Sequence, residues 1–297
     1  MEKLRRSMLF MPGNNPGMLQ DAAILGADSI ILDLEDAVSL TEKDSARILV
    51  RDAIKTIDYS QVEVVVRVNP LDTEFGPQDV DMIARVKPDT LLIPKADEEE
   101  IKLVDTMLDK IEKEEGYLAG SIKIIALIET AIGLATVYDV IKASKRVVGV
   151  LLGGEDLTSD LGVSRTREGE EIFYARNKVA TACRALKVDS IDTPFTDTND
   201  YEGLAKDTAK AKSLGLTGKS SINPRQIEII HSVFAPTEAE LKHALRVLEV
   251  MKEAEKEGKG VCSLDGKMID APIIKRATRT VEQGAKLGLI RDEGGAT

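Results

Sequence analysis

The sequence is poor in cysteine, histidine and aromatic residues. Its 297 residues include two cysteines, two histidines and no tryptophan, and aromatic residues make up 3% of the chain. The cysteines, Cys183 and Cys262, provide neither a disulfide framework nor a paired thiolate metal site, so a reducing cytoplasm is the expected location. No apolar run approaches the roughly 20 residues of a membrane span, and the run near the N-terminus is too short for a secretory signal.

Basic residues are fewer than acidic ones. The chain has 40 Lys and Arg against 51 Asp and Glu, which gives a formal net charge of −11. This balance argues against general nucleic-acid binding and against a polybasic membrane contact, although a local basic patch is compatible with it. With 43% hydrophobic and 31% charged residues, the composition is that of an ordinary folded protein.

Short apolar runs rich in β-branched residues alternate with amphipathic segments along most of the chain. Most runs are apolar throughout, which is typical of parallel strands buried on both faces. The alternation predicts an α/β fold, a (β/α)8 TIM barrel, with an open doubly wound sheet as the alternative. The predicted strands are residues 7–10, 29–35, 62–69, 90–95, 123–129, 147–153, 188–193 and 218–222.

The pattern changes after the predicted eighth strand. A capping box, Thr237-Glu238-Ala239-Glu240, opens one helical pattern, and a last helix is predicted over about 272–288. We therefore expect a barrel over residues 1–230 and a C-terminal helical extension over 231–297. This segment is too small to be an independent domain, so we expect it to pack on its own barrel or on a neighbouring subunit.

Charged residues follow several predicted strands at the end where barrels carry their catalytic groups. Glu129 ends the fifth strand, and Glu155 and Asp156 follow the sixth. Carboxylates on adjacent strands with no histidine nearby are oxygen ligands of the kind that Mg²⁺ prefers, so Glu129 and Asp156 are candidate metal ligands. The alternative is that each carboxylate caps the helix that follows it.

An arginine, Arg67, lies within a run of valines and must pair with an anion. One interpretation is a buried salt bridge with Glu35 or Glu129, and the other is contact with a substrate carboxylate or a developing enolate oxygen. Gly154, in a Gly-Gly pair, allows backbone N–H groups to approach a carboxylate, or it simply forms a turn. Lys95, at the end of the fourth strand, is a candidate for Schiff-base chemistry.

Other candidate ligand contacts lie near the first and eighth strands. The loop that contains Pro12 and Asn14 either holds a ligand or only turns the chain. Lys219 and Arg225 either bind phosphate, which barrels often hold near their last strands, or are solvated. Arg6, with Lys3 and Arg5, precedes the first strand and is expected to contribute to a local basic rim.

Taken together, these strand ends resemble the citrate lyase beta subunit family, which is grouped with malyl-CoA lyases among thioester-handling aldolase barrels. The resemblance covers nearly the whole chain. The residues that carry it are RSMLFMPG (6–13), LDLED (32–36), VRVN (66–69), LIET (127–130), GGED (153–156), EEIFYAR (170–176), GKSSINPRQI (218–227) and GKMID (266–270).

The resemblance implies an oligomeric (β/α)8 barrel that catalyses Mg²⁺-dependent cleavage of a citryl thioester to oxaloacetate and an acetyl thioester. It implies a complex with an acyl carrier protein, which carries the thioester, and with transferase subunits; free citryl-CoA can replace the carrier. Glu129 and Asp156 would hold the metal, and Arg67 would contact the substrate. Asp270 matches an aspartate that in relatives reaches a neighbouring subunit's site, and it is the candidate acid that protonates the enolate.

The remaining assignments follow from that chemistry. Glu129, Gly154 and Glu155 are expected to contact the substrate, with Glu35 and Asp36 behind them. Glu35, Asp36 or a water at the metal would take the proton of the tertiary hydroxyl. Three alternatives remain open: a malyl-CoA or citramalyl-CoA lyase, a Schiff-base aldolase, and a non-catalytic subunit that only docks a carrier. An acidic carrier would be received by the basic rim, which consists of Lys3, Arg5, Arg6 and Lys219.

Overall fold

A computed structural model describes residues 3–256 and 262–290 of the chain. The contacts divide the chain into two compact units, Met1–Phe234 and Ala235–Thr297. No helix in the described part of the chain combines the length and the apolar composition that a membrane span requires.

The first unit is built around a closed barrel of eight parallel strands, in which each strand pairs with its neighbours in chain order and β1 pairs with β8. This confirms the predicted (β/α)8 barrel over the open sheet. The strands are β1 (Ser7–Pro12), β2 (Ser29–Asp33), β3 (Glu63–Arg67), β4 (Thr90–Ile93), β5 (Lys123–Ile128), β6 (Val147–Leu152), β7 (Asp189–Asp192) and β8 (Gly218–Ser221).

Helices surround this barrel, and short 3₁₀ turns lie at 22–24, 40–42 and 224–226. The α-helices are α1 (Pro16–Asp21), α2 (Lys43–Thr56), α3 (Gly76–Ala84), α4 (Glu98–Glu115), α5 (Ala131–Ala135), α6 (Val137–Lys142), α7 (Gly154–Asp160), α8 (Phe173–Leu186), α9 (Tyr201–Ser213) and α10 (Ile227–Phe234).

The apolar strands are buried on both faces because they separate two layers of core. Successive side chains of a strand point to opposite faces, so Ile31 fills the barrel interior while Ile30 and Leu32 pack under the helices. Both layers need apolar residues, which explains why the strands read as continuous hydrophobic runs. Most predicted strands end one or two residues too late, because tip residues such as Glu129 leave the strand and carry polar groups.

The second unit is a helical pair with a small hairpin. It contains α11 (Glu238–Lys256), β9 (Cys262–Leu264), β10 (Lys267–Ile269) and α12 (Ala271–Lys286), with β9 and β10 antiparallel. The predicted capping box is present, because Thr237 and Glu240 exchange hydrogen bonds at the start of α11. The expected boundary at residues 230–231 falls inside α10, which belongs to the first unit because it packs on α9 and β1.

Candidate active site at the carboxyl ends of the strands

A cavity of about 360 Å³ opens at the carboxyl ends of the barrel strands. Candidate residues from the ends of four strands, β2, β3, β5 and β6, meet there, as expected if all parallel strands end at the same face. Arg67, Glu129 and Asp156 line this one cavity together with Phe10, Asp33 and Thr193.

Arg67 is the last residue of β3 and lies in register with Asp33, the last residue of β2. Its Nε donates to Asp33 Oδ1 and its Nη2 donates to Asp33 Oδ2, each at 2.7 Å, which is a bidentate pair. Its Nη1 lies 2.8 Å from Glu35 Oε2, and its guanidinium carbon lies 5.1 Å from the centre of the Phe10 ring. The buried partners of Arg67 are therefore Asp33 and Glu35.

These neighbours shift the protonation of Arg67 and Glu35 in different ways. Burial would lower the pKa of Arg67, but hydrogen bonds and charges from Asp33, Glu35 and Asp36 outweigh burial, so its pKa is raised and it stays charged. Burial raises the pKa of Glu35 to about 7, Asp36 and Asp33 act in the same direction, and Arg67 opposes them. Glu35 can therefore gain or lose a proton near neutral pH, as a general base must.

Glu129 follows β5 and is 3% exposed. Its Oε1 accepts a hydrogen bond of 2.8 Å from the backbone N–H of Lys95. Burial raises the pKa of Glu129 to about 8; the charges of Glu35 and Asp156 also raise it, while the Lys95 hydrogen bond and Arg67 lower it. The site therefore holds more negative charge than its own cations compensate.

The carboxylates of Glu129 and Asp156 fit a hard divalent cation. They follow adjacent strands, since Ile128 of β5 pairs with Leu152 of β6; Glu129 comes directly after β5, and Asp156 lies in the first turn of α7, which follows β6. A cation would add positive charge beside Glu129, whose pKa is raised mainly by burial and further by the charges of Glu35 and Asp156. In the described residues no group of three or more His, Cys, Asp and Glu is arranged to hold a metal alone. Waters and substrate oxygens would therefore complete the shell, as is usual for Mg²⁺.

The glycine pair after β6 makes backbone contacts with the neighbouring strands. The N–H of Gly153 donates to Ile128 O at 2.9 Å, and the N–H of Gly154 donates to Thr193 Oγ1 at 3.0 Å. Gly154 lines the cavity while its N–H donates within the protein, and its contact with a substrate carboxylate stays a prediction. Glycine is required for space, since a Cβ at Gly153 would lie 2.6 Å from Glu129 Cβ.

Three further candidates lie around the mouth of the cavity. Glu155 lines it and accepts a 3.0 Å hydrogen bond from Arg165 Nε. Pro12 ends β1, and the Asn14 amide donates to Glu42 Oε2 at 2.8 Å, which ties this loop to the start of α2. Contact of these residues with a substrate or a carrier stays a prediction.

Lys95 contributes to the site through its backbone N–H, which donates to Glu129. Its side chain is exposed, and its φ of 47° is a left-handed conformation that residues other than glycine rarely adopt. This conformation accompanies the N–H contact to Glu129. Lysines that form Schiff bases are usually enclosed in apolar pockets, whereas Lys95 is exposed, so the geometry does not favour that alternative.

The prediction of a basic rim at the mouth of the cavity is wrong. Arg6 lies at the start of β1, at the end of the barrel opposite to the cavity, and both its Nε and Nη2 bind Asp28. Lys219 is 0% exposed, and its ammonium group lies 2.6 Å from Asp192 and 2.7 Å from Asp207. Lys3 and Arg5 also pair with acids. These residues are neutralised locally, so none of them provides free positive charge at the cavity.

Asp270 belongs to the second unit and precedes α12. Its Oδ1 accepts a hydrogen bond of 3.1 Å from Ile273 N, so it caps that helix. Its proposed role as an acid stays a prediction.

Two polar residues that line the cavity, Asp33 and Thr193, were not predicted as site residues. Asp33 was visible as the tip of the second strand, and its register with Arg67 was the available signal. Thr193 gives no comparable signal, because its role depends on a contact with Gly154 across two strands. Behind it, Lys219 donates to Thr193 O at 2.7 Å, and Arg176 joins Asp192 and Asp207 in a buried ion network.

Comparison with known proteins agrees with this architecture. Residues 6–224 match the family described as HpcH/HpaI aldolase/citrate lyase. The chain is 47% identical to citrate lyase subunit beta of Haemophilus influenzae, over 98% of this chain and 100% of that protein. It is 43% identical to citrate lyase subunit beta of Leuconostoc mesenteroides subsp. cremoris, over 99% of this chain and 97% of that protein.

More distant similarities include another lyase and solved structures. The human mitochondrial citramalyl-CoA lyase is 31% identical, over 93% of this chain and 84% of that protein. A crystal structure of protein CitE from Mycobacterium tuberculosis in complex with magnesium, acetoacetate and coenzyme A superposes with a TM-score of 0.79 at 28% identity, covering 95% of this chain and 98% of that one. From the family match and the identities over nearly the whole chain, it follows that this protein belongs to the HpcH/HpaI aldolase/citrate lyase family.

Proposed function

We propose that the protein is the beta subunit of a citrate lyase and cleaves a citryl thioester to oxaloacetate and an acetyl thioester. The observation that carries this proposal is that Glu129, Asp156 and Arg67 line one cavity. The identity of up to 47% with citrate lyase beta subunits supports the substrate class. The cytoplasm is the proposed location, and an acyl carrier protein, transferase subunits and further copies of the chain are the proposed partners.

Glu129 and Asp156 would hold Mg²⁺. When bound, the ion would act as a Lewis acid on the oxygens of the substrate, lowering the pKa of its tertiary hydroxyl. Glu35, whose pKa is about 7, is placed beside Arg67 and is the candidate base for that hydroxyl. Asp36 is the alternative base. Cleavage of the bond between the hydroxyl-bearing carbon and the thioester's α-carbon leaves the electron pair on the thioester fragment as an enolate.

Arg67 would stabilise that enolate oxygen. Its guanidinium group is held by Asp33 on one side and by Glu35 on the other, so little reorganisation is needed when negative charge develops on the enolate oxygen. Protonation of the enolate carbon then gives the acetyl thioester, and Asp270 is the proposed donor. Gly154 and Glu155, which line the cavity, would contact the substrate.

The direct test is a cleavage assay of the purified chain on citryl-CoA. We expect turnover with Mg²⁺, loss of turnover with EDTA, and recovery on adding Mg²⁺. Arg67→Ala and Asp156→Ala should each lower kcat by at least about a hundredfold, the usual cost of losing an electrostatic group. Their circular dichroism should remain that of a folded barrel. Full activity in EDTA or in either variant would contradict the assigned roles.

A malyl-CoA or citramalyl-CoA lyase is the second candidate, favoured by the 31% identity with a citramalyl-CoA lyase. The metal-binding pair and the arginine suit both activities, so these residues do not discriminate between them. Relative kcat/KM on citryl-CoA, malyl-CoA and citramalyl-CoA would decide, and the present proposal requires citryl-CoA to be the best substrate. Borohydride treatment with a keto acid should trap no adduct at Lys95.

A further inference from the structure

Lys43 is a buried lysine whose surroundings differ from those of the other buried lysine, Lys219. It is 6% exposed, and its Nζ donates to the carbonyl oxygen of Leu34 at 2.8 Å and to that of Glu35 at 2.7 Å. Lys219 pairs with two carboxylates, whereas no carboxylate in the described part of the chain forms an ion pair with Lys43. Burying a charge without an opposite charge in contact is costly.

The position of Lys43 in its helix is also unfavourable. Lys43 is the first residue of α2, and the dipole of a helix disfavours a cation at that end. The rest of α2 follows the usual pattern, with Asp44 in its first turn and Lys55 in its last. Burial lowers the pKa of Lys43, while the charges of nearby carboxylates, Asp33 foremost, raise it. A residue that breaks two local rules is expected to be kept for what it contacts.

The contacts of Lys43 fix the backbone directly after β2, residues 34–36, which we call the β2 tip. The peptide groups of Glu35 are held on both sides. Its N–H donates to Asp33 Oδ1 at 2.9 Å, and its carbonyl oxygen accepts from Lys43 and from Val38 N, the latter at 2.9 Å. Lys43 thus binds the backbone of the residue that is the candidate base.

The second carbonyl bound by Lys43, that of Leu34, belongs to a larger network of buried polar groups. It also accepts a hydrogen bond of 2.9 Å from Asn69 Nδ2. The backbone N–H and the Nδ2 of Asn69 donate to Asp79 Oδ2 at 2.9 Å and 2.6 Å, and Asp79 Oδ1 accepts from Arg47 Nε at 2.5 Å. The β2 tip is therefore supported from below by side chains of α2, of α3 and of the segment after β3.

The carboxylate of Glu35 has few anchors of its own. Its Oε2 is buried and has no hydrogen-bond partner in the described part of the chain, although Arg67 Nη1 lies 2.8 Å away. A carboxylate oxygen without an aligned donor remains available to the proton of a bound substrate. The place of this oxygen then depends on the backbone of the β2 tip, to which Lys43 is bound.

We propose that Lys43 is a positioning residue of the active site, which keeps the Glu35 carboxylate in place by binding the carbonyl groups of Leu34 and Glu35. This inference rests on the proposed function, in which Glu35 takes the proton of the substrate's hydroxyl. Hydrogen bonds from a charged donor are stronger than those between neutral groups, so Lys43 holds the β2 tip more firmly than the neutral donors alone. A displacement of about 1 Å at a reacting group can cost roughly a hundredfold in rate.

The test begins with Lys43→Met, which removes the ammonium group and keeps an unbranched side chain. Each of the two carbonyls retains a second donor, Asn69 Nδ2 for Leu34 and Val38 N for Glu35. No buried carbonyl loses all its partners, so we expect Tm to stay within about 4 °C of that of the unchanged protein. With citryl-CoA and Mg²⁺, kcat should fall at least about tenfold, while KM should change less than about threefold.

The matched control is Lys55→Met, which makes the same substitution at an exposed lysine in the last turn of α2 and should change neither kcat nor Tm. A double-mutant cycle with Glu35→Gln then tests whether Lys43 acts through Glu35. In the Glu35→Gln background, Lys43→Met should lower kcat by less than about twofold. A lysine that only supports the fold would lower kcat by the same factor in both backgrounds.

The outcomes separate this inference from the proposed function when citryl-CoA, malyl-CoA and citramalyl-CoA are all assayed. A protein that cleaves none of them would overturn both. If the protein prefers malyl-CoA or citramalyl-CoA, the proposed substrate is wrong, and the cycle on the preferred thioester still decides the role of Lys43. If citryl-CoA is cleaved but Lys43→Met keeps its kcat, acts equally in both backgrounds or strongly lowers Tm, the positioning role alone is wrong.

Discussion

The surroundings of Glu129 leave its carboxylate poorly compensated, which favours binding of a cation. It is buried, it receives one backbone hydrogen bond from Lys95, and Gly153 leaves room for its Cβ. Burial without full compensation is costly for a carboxylate, so the apo site favours the protonated acid. A divalent ion that replaces the proton would compensate the buried carboxylate, and this gain would contribute to the affinity of Glu129 for the ion.

Mg²⁺ binding should therefore depend on pH. The ion needs the carboxylate form of Glu129, whose pKa is raised to about 8, so affinity should rise with pH between about 6 and 8. The steepest expected dependence is about tenfold per pH unit, for release of one proton. Titration calorimetry of the substrate-free protein would measure it, in buffers of different ionisation enthalpy so that proton release is counted. A Kd that is constant from pH 6 to pH 8 would be inconsistent with this picture.

The raised pKa of Glu129 should also make the stability of the protein in EDTA depend on pH. The folded protein holds the Glu129 proton up to about pH 8, whereas the ordinary carboxyl pKa is 4.5. Between these values the folded state binds more protons than the unfolded state, so the contribution of Glu129 to stability falls as pH rises. Added Mg²⁺ should offset part of that loss near pH 8, which would appear as a larger increase in Tm there than at pH 6.

At the scale of elements, the wall formed by β7 and β8 is held by an enclosed ion network. Lys219 on β8 and Arg176 on α8 balance Asp192 on β7 and Asp207 on α9. Lys219 also donates to Thr193 O, and Thr193 Oγ1 accepts from Gly154 at the start of α7. The network thus joins β7 and β8 to the helix that carries Asp156.

Removing one cation from this network should strongly lower the free energy of unfolding. Lys219→Met leaves two buried carboxylates with Arg176 as their one remaining cation in the network, and breaking a buried pair in this way costs roughly 3–5 kcal/mol. Chemical denaturation should show that loss as a lower midpoint. Lys210→Met on α9 is the control: Lys210 forms its ion pair at the surface with Glu170, and such pairs contribute roughly 0–1 kcal/mol. Similar midpoints in the two variants would show that the network contributes little to stability.

Strands and strand-end residues were predictable, whereas long-range pairing was not. The double-sided burial of parallel strands leaves continuous apolar runs, which revealed all eight strands in order. The same geometry places Arg67, Glu129 and Asp156 at one face. The burial of Lys219 could not be predicted, since Asp192 and Asp207 belong to other elements. Arg6 could have been placed correctly, because a residue before a strand lies at the opposite barrel end from the catalytic face.

At the scale of the whole molecule, the proposed role of Asp270 as an acid raises the question of which subunit would supply it. The residue caps α12 through Ile273 N, and asparagine is as good a cap as aspartate, so Asp270→Asn should remove the acid while preserving the helix. We expect this variant to be folded and strongly impaired in kcat on citryl-CoA. If Asp270 acts across a subunit interface, each site needs an intact Arg67 from one chain and an intact Asp270 from another.

Mixing two inactive variants tests this requirement. When Arg67→Ala and Asp270→Asn chains are co-expressed in equal amounts and assemble at random, about one quarter of the sites in a symmetric ring contain both intact residues. The mixture should then recover about a quarter of the activity, independently of the number of subunits. If Asp270 acts within its own chain, every site lacks one residue and no activity returns. Wild-type activity in Asp270→Asn alone would remove Asp270 from the mechanism, and the enolate would then need another proton donor.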